Sequence, residues 1–479
     1  MMNIFSKLNK LRLYQVIDLA FYMANPKCLN LSDPGCGKTP PTCVYMWWLW
    51  TEKNVRTMWV MPKSLLKKNR DELLEFTPFD PEDIVIFDGT PKQRQQILET
   101  SNAKVWLMGF RRFADDWETL WEEVGGFDCL AVDELHMGFG GATSNQTKQF
   151  WRANKFFTYM VGMTGTLIRG RLDSAYPVLH AIEPRYYPSH ANFIYVHGNT
   201  DIYGNVYSWK NHDILAKRIS LHSIRRSFTE VYGKNEVVTH VEKVSMTKRQ
   251  AEVYNEWEDA ALLEIEDGFL DTPNMAVHAL RCRQILAHPE KVMLPDKVDP
   301  ITGKTISFKE HNLVGKETIG KDEQLLIHLA DHKNTGEPLI IYGCFQIELE
   351  RIAKLCEDQG FRVGLIHGGV PTKKRVEIDE GFRAGRIDIV VASPATAAIG
   401  FNWGHVDHIV FASLDYQDSN YLQARRRAER GVRERALRVT VLEYEDTIEQ
   451  RIFSIIERKS RDANKVDPTT EKVRLIDDR

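Results

Sequence analysis

The sequence lacks the features of secreted, membrane-spanning and disulfide-rich proteins. No apolar run reaches the ~20 residues of a membrane span, and the N-terminal MMNIFSKLNKLRLYQ has no apolar core of a signal peptide. Its seven cysteines include no Cys-x-x-Cys pair, which indicates buried or incidental thiols of a reducing compartment. We therefore expect a cytoplasmic protein that has no membrane partner.

Strong net charge, low-complexity tracts and repeats of fixed period are also missing. The net charge is −3, so any basic surface for a nucleic acid must be local. What is present is a globular composition, 43% hydrophobic and 27% charged. A chain of 479 residues with this composition can form two to four domains, each with its own core.

A glycine-rich turn follows the first predicted strand, in the sequence LNLSDPGCGKT at positions 29–39. Gly35 and Gly37 permit positive φ, so that the N–H groups of the turn can point at phosphate oxygens. Lys38 supplies charge for the β- and γ-phosphates, and the Thr39 hydroxyl can bind magnesium. The strict phosphate-loop pattern has Gly where Ser32 stands here, and the alternative interpretation is an ordinary surface turn.

A second motif, Asp-Glu-Leu-His, ends the apolar run FDCLAV about 95 residues after the phosphate loop. Carboxylates at the carboxyl end of a parallel strand lie beside such a loop. Asp133 can hold magnesium and Glu134 can deprotonate the attacking water. His136 is interpreted as a coupling residue. The hydroxyls of Thr-Gly-Thr at 164–166 can bridge to this acidic turn or form a plain local turn.

An arginine-rich segment, QARRRAER at 423–430, is the main chemical feature of the second half. Helical spacing places Gln423, Arg427 and Arg430 on one helix face. An arginine there can stabilise charge on a transferred γ-phosphoryl group. The alternative is a solvated or DNA-facing helix.

The order of predicted elements indicates two α/β units with parallel sheets. Residues 1–225 predict a RecA-like domain that contains the phosphate loop. Residues 226–479 predict a second α/β domain without a phosphate loop, with a helical insertion at about 247–320. Within this insertion, the polar stretch 294–320 predicts a loop or small hairpin.

Taken in order, these stretches resemble the motifs of a superfamily-two helicase, most of all the Swi/Snf-like group. The similar stretches are LRLYQ, SDPGCGKT, MPKSLL, LMGFRRF, DELH, TGT, YGCFQ, ASPATAAIGFNW and QARRRAER. The resemblance implies two tandem RecA-like domains with the ATP site in the cleft between them. It also implies ATP and magnesium as cofactors. The implied partner of this chain, acting as a monomer, is DNA in single-stranded, forked or branched form. RNA stays open as an alternative partner.

The resemblance implies further site residues. Gln15 would contact adenine, although a helix-start Gln exposed to solvent is the alternative. The loop residues Gly35, Cys36, Gly37, Lys38 and Thr39 would bind the nucleotide. Gly400 and Asn402 would lie near the cleft, where Gln423, Arg427 and Arg430 complete the site. The candidates for contact with a nucleic-acid strand are Ser64, Arg111, His367 and Ser393.

The chain departs from the family pattern in three places. Ala397 and Ala398 stand where the family has Gly-Gly, Gly431-Val432-Arg433 replaces its x-Gly-Gln, and Ser32-Asp33-Pro34 replaces Asp-Glu-Met. These departures favour a compact viral or bacterial DNA translocase over a chromatin remodeller, with fork remodelling or branch migration as its activity. A nucleic-acid-binding subunit gated by nucleotide, within a defence complex, is a further alternative.

Overall fold

The computed structural model describes residues 10–168, 171–233, 235–266, 273–298, 305–315, 318–397, 401–429 and 432–466. They form two compact units. The first comprises residues 10–233 and 459–466, and the second comprises residues 235–458 apart from the gaps just given. Among these residues, no helix is both long and apolar enough to cross a lipid bilayer.

The first unit is built on a parallel sheet of seven strands with the order β3-β4-β2-β5-β6-β1-β9. The strands of this unit are β1 (Lys27–Asn30), β2 (Arg56–Met61), β3 (Ile84–Ile86), β4 (Val105–Gly109), β5 (Phe127–Val132), β6 (Tyr159–Met163), β7 (Gly198–Thr200), β8 (Val206–Trp209) and β9 (Ser223–Ile224). Its α-helices are Leu13–Ala24, Thr39–Lys53, Leu66–Phe76, Pro91–Thr100, Phe110–Glu123, Leu135–Phe139, Asn145–Ala153, Tyr176–Ile182, His190–His197, His212–Ser220 and Phe228–Tyr232.

The apolar runs of the sequence become the central strands because both faces of this sheet are covered. Val60 and Val132 belong to the main core cluster on one face, and their neighbours Trp59 and Ala131 are also buried. Strands buried on both faces have continuous rather than alternating apolar sequences. Strand β6 begins at Tyr159, after residues 154–156 form the turn that ends the preceding helix.

The second unit contains a parallel sheet of six strands with the order β10-β17-β16-β13-β15-β14. Its strands are β10 (Val237–Val244), β11 (Val292–Val298), β12 (Thr305–His311), β13 (Leu339–Tyr342), β14 (Val363–Ile366), β15 (Ile389–Ala392), β16 (His408–Phe411) and β17 (Leu437–Tyr444). Its α-helices are Lys248–Glu266, Pro273–Ala287, Gly320–Thr335, Gln346–Asp358, Thr372–Arg383, Pro394–Ala397, Asp418–Ala428 and the first part of Ile448–Val466. Along β13, Ile340 and Leu339 enter different core clusters, so this sheet too is covered on both faces.

These sheets confirm the predicted α/β class with two parallel sheets. The insertion contains two helices followed by the antiparallel pair β11–β12, which confirms the hairpin alternative for the polar stretch. All seven cysteines are free thiols, and six of them are buried, as the sequence indicates. One segment was not predicted at all: residues 172–232 contain four helices and the hairpin β7–β8.

Candidate nucleotide-binding site

The phosphate loop connects β1 to the helix Thr39–Lys53. Gly35 and Gly37 have φ values of 92° and 67°, in the region that favours glycine. A Cβ atom at residue 37 would lie 2.6 Å from the side-chain nitrogen of Gln15, so a larger residue would have to displace that side chain. The Lys38 ammonium group lies inside the turn, where it donates to the carbonyls of Ser32 (2.7 Å) and Asp33 (3.3 Å).

Three side chains hold three consecutive carbonyls of this loop. Tyr232 donates to the carbonyl of Gly35 at 2.9 Å, Tyr14 to that of Cys36 at 2.9 Å, and Gln15 to that of Gly37 at 2.9 Å. Burial raises the pKa of Tyr14 to about 12, so its hydroxyl stays a donor at neutral pH. Because these carbonyls are occupied by side chains, the loop conformation does not depend on the nucleotide alone.

The segment 225–232, which follows β9, holds the start of the loop in place. Ser32 accepts from the backbone N–H of Arg226 at 3.0 Å, which gives its hydroxyl a structural use at the position where the strict pattern has Gly. Asp33 accepts from the Arg225 guanidinium at 3.1 Å and from the backbone N–H of Phe228 at 2.9 Å. The sequence analysis missed this segment, and its Arg225-Arg226 pair was the available signal.

Asp133 and Glu134 stand at the carboxyl end of β5, as predicted. Asp133 is buried, accepts from the Asn69 amide at 3.0 Å and from the backbone N–H of Glu134 at 2.9 Å. Burial and then the Glu134 charge raise the pKa of Asp133, whereas Asn69 and Lys38 oppose the rise. Glu134 has φ 47° and ψ 47°, an uncommon conformation for glutamate that proteins tend to retain at functional sites.

A third carboxylate, Glu72, joins this cluster and was missed by the sequence analysis. It lies on the helix Leu66–Phe76, 3.6 Å from Lys68, and hydrogen-bonds to the Thr39 side chain. Burial raises the pKa of Glu72, with a contribution from Asp133. A hard cation near Thr39 and Asp133 would relieve this crowding of negative charge. Magnesium fits such a site, because it needs few protein ligands beside substrate phosphates.

His136 connects the acidic turn to β6. Its Nδ1 lies 2.6 Å from the Thr164 hydroxyl and 3.5 Å from a carboxylate oxygen of Glu134. The same hydroxyl accepts from the Thr166 backbone N–H at 3.0 Å, so Thr164 makes both the bridge and the local turn. The structure thus supports both interpretations of the Thr-Gly-Thr sequence.

In the second unit, Gln423 and Arg427 lie on the helix Asp418–Ala428 and are buried. Arg427 donates to the carbonyl of Phe401 at 3.4 Å. Arg425 and Arg426 are buried as well, in ion pairs with Glu429 at 3.2 and 3.1 Å, so the alternative of a solvated helix is wrong for these residues. The helix ends at Ala428, and its predicted continuation to Arg430 is therefore too long.

Two predicted site residues, Gly400 and Arg430, lie outside the described residues. Asn402 is exposed and directly precedes Trp403, whose backbone N–H donates to the carbonyl of Arg427 at 2.9 Å. Asn402 and the helix of Gln423 and Arg427 are thus neighbours in the fold of the second unit.

The four candidates for contact with a nucleic acid lie in pairs at strand ends. Ser64 and Arg111 follow β2 and β4, which are paired through Met61 and Gly109; the Arg111 side chain is exposed. In the second unit, His367 and Ser393 follow β14 and β15, and the backbone N–H of Ser393 donates to the carbonyl of Ile366 at 3.0 Å. Each pair therefore lies at the carboxyl edge of its own sheet.

Replacing Tyr232 with Phe is expected to weaken nucleotide binding with little change in kcat. Phe keeps the ring, over which the Arg12 guanidinium lies at 5.0 Å, and removes only the hydroxyl that holds the carbonyl of Gly35. One hydrogen bond is worth about 1 kcal/mol, so KM for ATP should rise about fivefold. Steady-state ATPase kinetics measure this, with the exposed Tyr195→Phe as control. An unchanged KM would contradict the assignment of Tyr232.

Comparisons with known proteins show what this chain is similar to. The family described as "Helicase conserved C-terminal domain" matches residues 320–432, which include Gln423 and Arg427. The mouse chromodomain-helicase-DNA-binding protein 1-like is 23% identical over 436 residues, which are 89% of this chain and 46% of the relative. The mouse SWI/SNF-related matrix-associated actin-dependent regulator of chromatin subfamily A member 1 is 24% identical over 348 residues, 69% of this chain and 31% of the relative.

The chain thus spans less than half of the length of these curated relatives. Among solved structures, the helicase domain of Pyrococcus furiosus Hef is similar with a TM-score of 0.52 and 14% identity, over 93% of this chain and 98% of that one. This similarity confirms the predicted tandem RecA-like fold. The family match and the relatives agree with the resemblance of the motifs to superfamily-two helicases of the Swi/Snf-like group.

Proposed function

We propose that this chain is an ATP-dependent translocase or helicase that acts on DNA. The observation on which the proposal rests is the cluster in the first unit, where Glu134 adjoins Asp133 and Lys38 lies near enough to Asp133 to oppose the rise in its pKa. A phosphate loop, a buried acid and a neighbouring carboxylate are the groups that ATP hydrolysis requires.

Each residue of the cluster has a distinct proposed task. The loop from Gly35 to Gly37 presents N–H groups to the phosphates, and Lys38 supplies a positive charge to them. Gln15 contacts the adenine edge. Thr39 and Asp133 would hold a magnesium ion, which when bound neutralises charge on the β- and γ-phosphate oxygens.

Glu134 is the proposed general base for the attacking water. His136 contacts both Glu134 and Thr164, and it is therefore proposed to couple the chemistry at Glu134 to strand β6. From the second unit, Gln423, Arg427 and Arg430 are proposed to stabilise charge on the transferred phosphoryl group. Gly400 and Asn402 are proposed to contribute to nucleotide binding.

DNA is the proposed partner, in single-stranded, forked or branched form. Ser64 and Arg111 in the first unit, with His367 and Ser393 in the second, would contact backbone phosphates. Binding of this kind depends on salt and is largely independent of sequence. The names of the two mouse relatives, which refer to DNA binding and to chromatin, support DNA as the partner. Monomeric state and cytoplasmic location stay predictions.

The decisive experiment compares ATP turnover without nucleic acid and with single-stranded DNA, duplex DNA, forks, Holliday junctions and duplex RNA. We expect DNA to stimulate turnover and Lys38→Ala to abolish it, since the variant lacks the phosphate-binding charge. Triplex displacement then tests for movement along DNA. Stimulation by RNA alone would favour the RNA-directed ATPase, and stimulation without displacement would favour the nucleotide-gated binding subunit. Wild-type turnover by Lys38→Ala would refute the ATPase assignment.

A further inference from the structure

The helix Leu66–Phe76 of the first unit extends two polar side chains towards the acidic cluster. Asn69 and Glu72 lie three residues apart, so they are neighbours on one face of the helix. Leu66 and Leu73 are buried and hold this helix against the unit, and Asn69 is buried with them. Neither Asn69 nor Glu72 belongs to the stretches that resemble helicase motifs, so the proposed function leaves both without a task.

Asn69 fixes the orientation of the Asp133 carboxylate. The Asn69 amide nitrogen donates to Asp133 Oδ2 at 3.0 Å and to Met61 Sδ at 3.3 Å, which engages both of its protons. The backbone N–H of Glu134 donates to the other carboxylate oxygen, Oδ1, at 2.9 Å. With one donor on each oxygen, the plane of the carboxylate is set. Each oxygen still has a lone pair for a further ligand, because an ionised carboxylate offers about four acceptor sites.

Glu72 fixes the direction of the Thr39 hydroxyl proton. The two side chains share a hydrogen bond, and Lys68, 3.6 Å from Glu72, opposes the effect of burial and favours the ionised carboxylate. An ionised carboxylate can only accept, whereas a hydroxyl has one proton to donate and two lone pairs. Thr39 is therefore the donor in this bond. Its proton points at Glu72, and its lone pairs stay available for a cation.

One helix thus contacts both residues that are proposed to hold magnesium. Thr39 begins the helix Thr39–Lys53, and Asp133 directly follows β5, so the two ligands belong to different elements. Magnesium tolerates little deviation from octahedral geometry, so its ligands must be held at fixed orientations to each other. A single element that bonds to both ligands can provide this, because any shift of the helix moves Asn69 and Glu72 together.

We propose that Asn69 and Glu72 are positioning residues that orient the two magnesium ligands, Asp133 and Thr39. Their role rests on the proposed function, and it adds the residues that set the affinity of this site for magnesium. Partners that hold metal ligands by hydrogen bonds typically contribute about 10- to 100-fold to metal affinity. Side chains that only stabilised the fold would instead affect nucleotide binding equally with and without magnesium, so the two roles can be separated by experiment.

The test uses the full chain and measures binding of a fluorescent ADP analogue, first in EDTA and then at rising MgCl₂ concentrations. This readout reports magnesium binding without any turnover. Glu72→Ala removes the acceptor of the Thr39 proton, whereas Glu72→Gln removes the charge but keeps an oxygen that can accept. Asn69→Leu removes the amide donor at similar side-chain size. The matched control is Glu75→Gln, which neutralises an exposed glutamate on the same helix.

We expect Glu72→Ala and Asn69→Leu to need about tenfold more magnesium for the half-maximal gain in nucleotide affinity, while their Kd in EDTA stays within about twofold of wild type. The affinity in EDTA is retained because Lys38 and the phosphate loop are unchanged. Glu72→Gln should stay close to wild type, since it can still accept the Thr39 proton, and Glu75→Gln should not differ from wild type. If Asn69→Leu does not fold, the two Glu72 variants decide the proposal.

Three results would overturn the positioning role and leave the ATPase assignment intact. The first is a wild-type magnesium requirement in Glu72→Ala and Asn69→Leu. The second is an equal loss of affinity with and without magnesium, which a structural role would produce. The third is an equal loss in Glu72→Ala and Glu72→Gln, which would assign the effect to charge rather than to the hydrogen bond. A wild-type chain that binds no nucleotide in either condition would overturn the proposed function itself.

Discussion

Replacing Glu134 with Gln is expected to lower kcat for ATP hydrolysis by about 10²- to 10⁴-fold, the usual contribution of a general base. Glutamine has the same shape, so it fits the left-handed backbone conformation of residue 134 and still approaches His136. It cannot accept a proton from water. ATP binding should be retained, since Lys38 and the loop are unchanged.

The measurements are single-turnover hydrolysis and binding of a fluorescent ATP analogue, with the exposed Glu122→Gln as control. Thermal unfolding supplies an independent readout. The Glu134 charge raises the pKa of Asp133, so its removal should lower that pKa and leave Tm equal or higher. A folded Glu134→Gln protein with near wild-type turnover would remove Glu134 from the mechanism.

Replacing Arg427 with Lys is expected to lower kcat by about 10³-fold, the lower end of the range for an arginine that stabilises phosphoryl transfer. Lysine keeps a positive charge but loses the planar fork that binds two phosphate oxygens at once. Arg427 is also buried and bonded to the Phe401 carbonyl, so some loss of stability should accompany the change.

Arg433 provides the control that separates these two effects. It donates to the carbonyls of Gly404 (3.1 Å) and Val406 (2.8 Å), and it has no proposed part in catalysis. Arg433→Lys should lower Tm while the folded protein keeps its kcat. If Arg427→Lys loses activity only in proportion to its loss of Tm, as Arg433→Lys would, then Arg427 is structural and the proposed role is wrong.

Much of the fold followed from local patterns in the chain. Continuous apolar runs such as FDCLAV predicted the central strands, because a parallel sheet covered on both faces requires them. The phosphate loop was identifiable because its geometry depends on residues that are close together in the chain, such as Gly35 and Gly37, which adopt positive φ. The acidic strand end followed because parallel strands bring their carboxyl ends to one edge.

Long-range contacts explain what the sequence did not reveal. Nothing near Ser32 in the chain indicates that its hydroxyl accepts from Arg226, 194 positions later. Glu72 has no motif around it, yet the fold brings it to Thr39 and Asp133. The helix of Arg427 ends at Ala428, where its arginines are already engaged with Glu429 and with the Phe401 carbonyl.

The sequence by itself determined the proposed chemistry: a phosphate loop, an acid and a base, and an arginine helix, each set by side chains close together in the chain. The tertiary structure decided which groups hold these in place and which remain exposed. Tyr14, Gln15 and Tyr232 meet at one loop, whereas Arg111 remains exposed. The physical reason is that residue types and short spacings are local properties, whereas burial, carbonyl partners and charge crowding arise only when distant segments pack together.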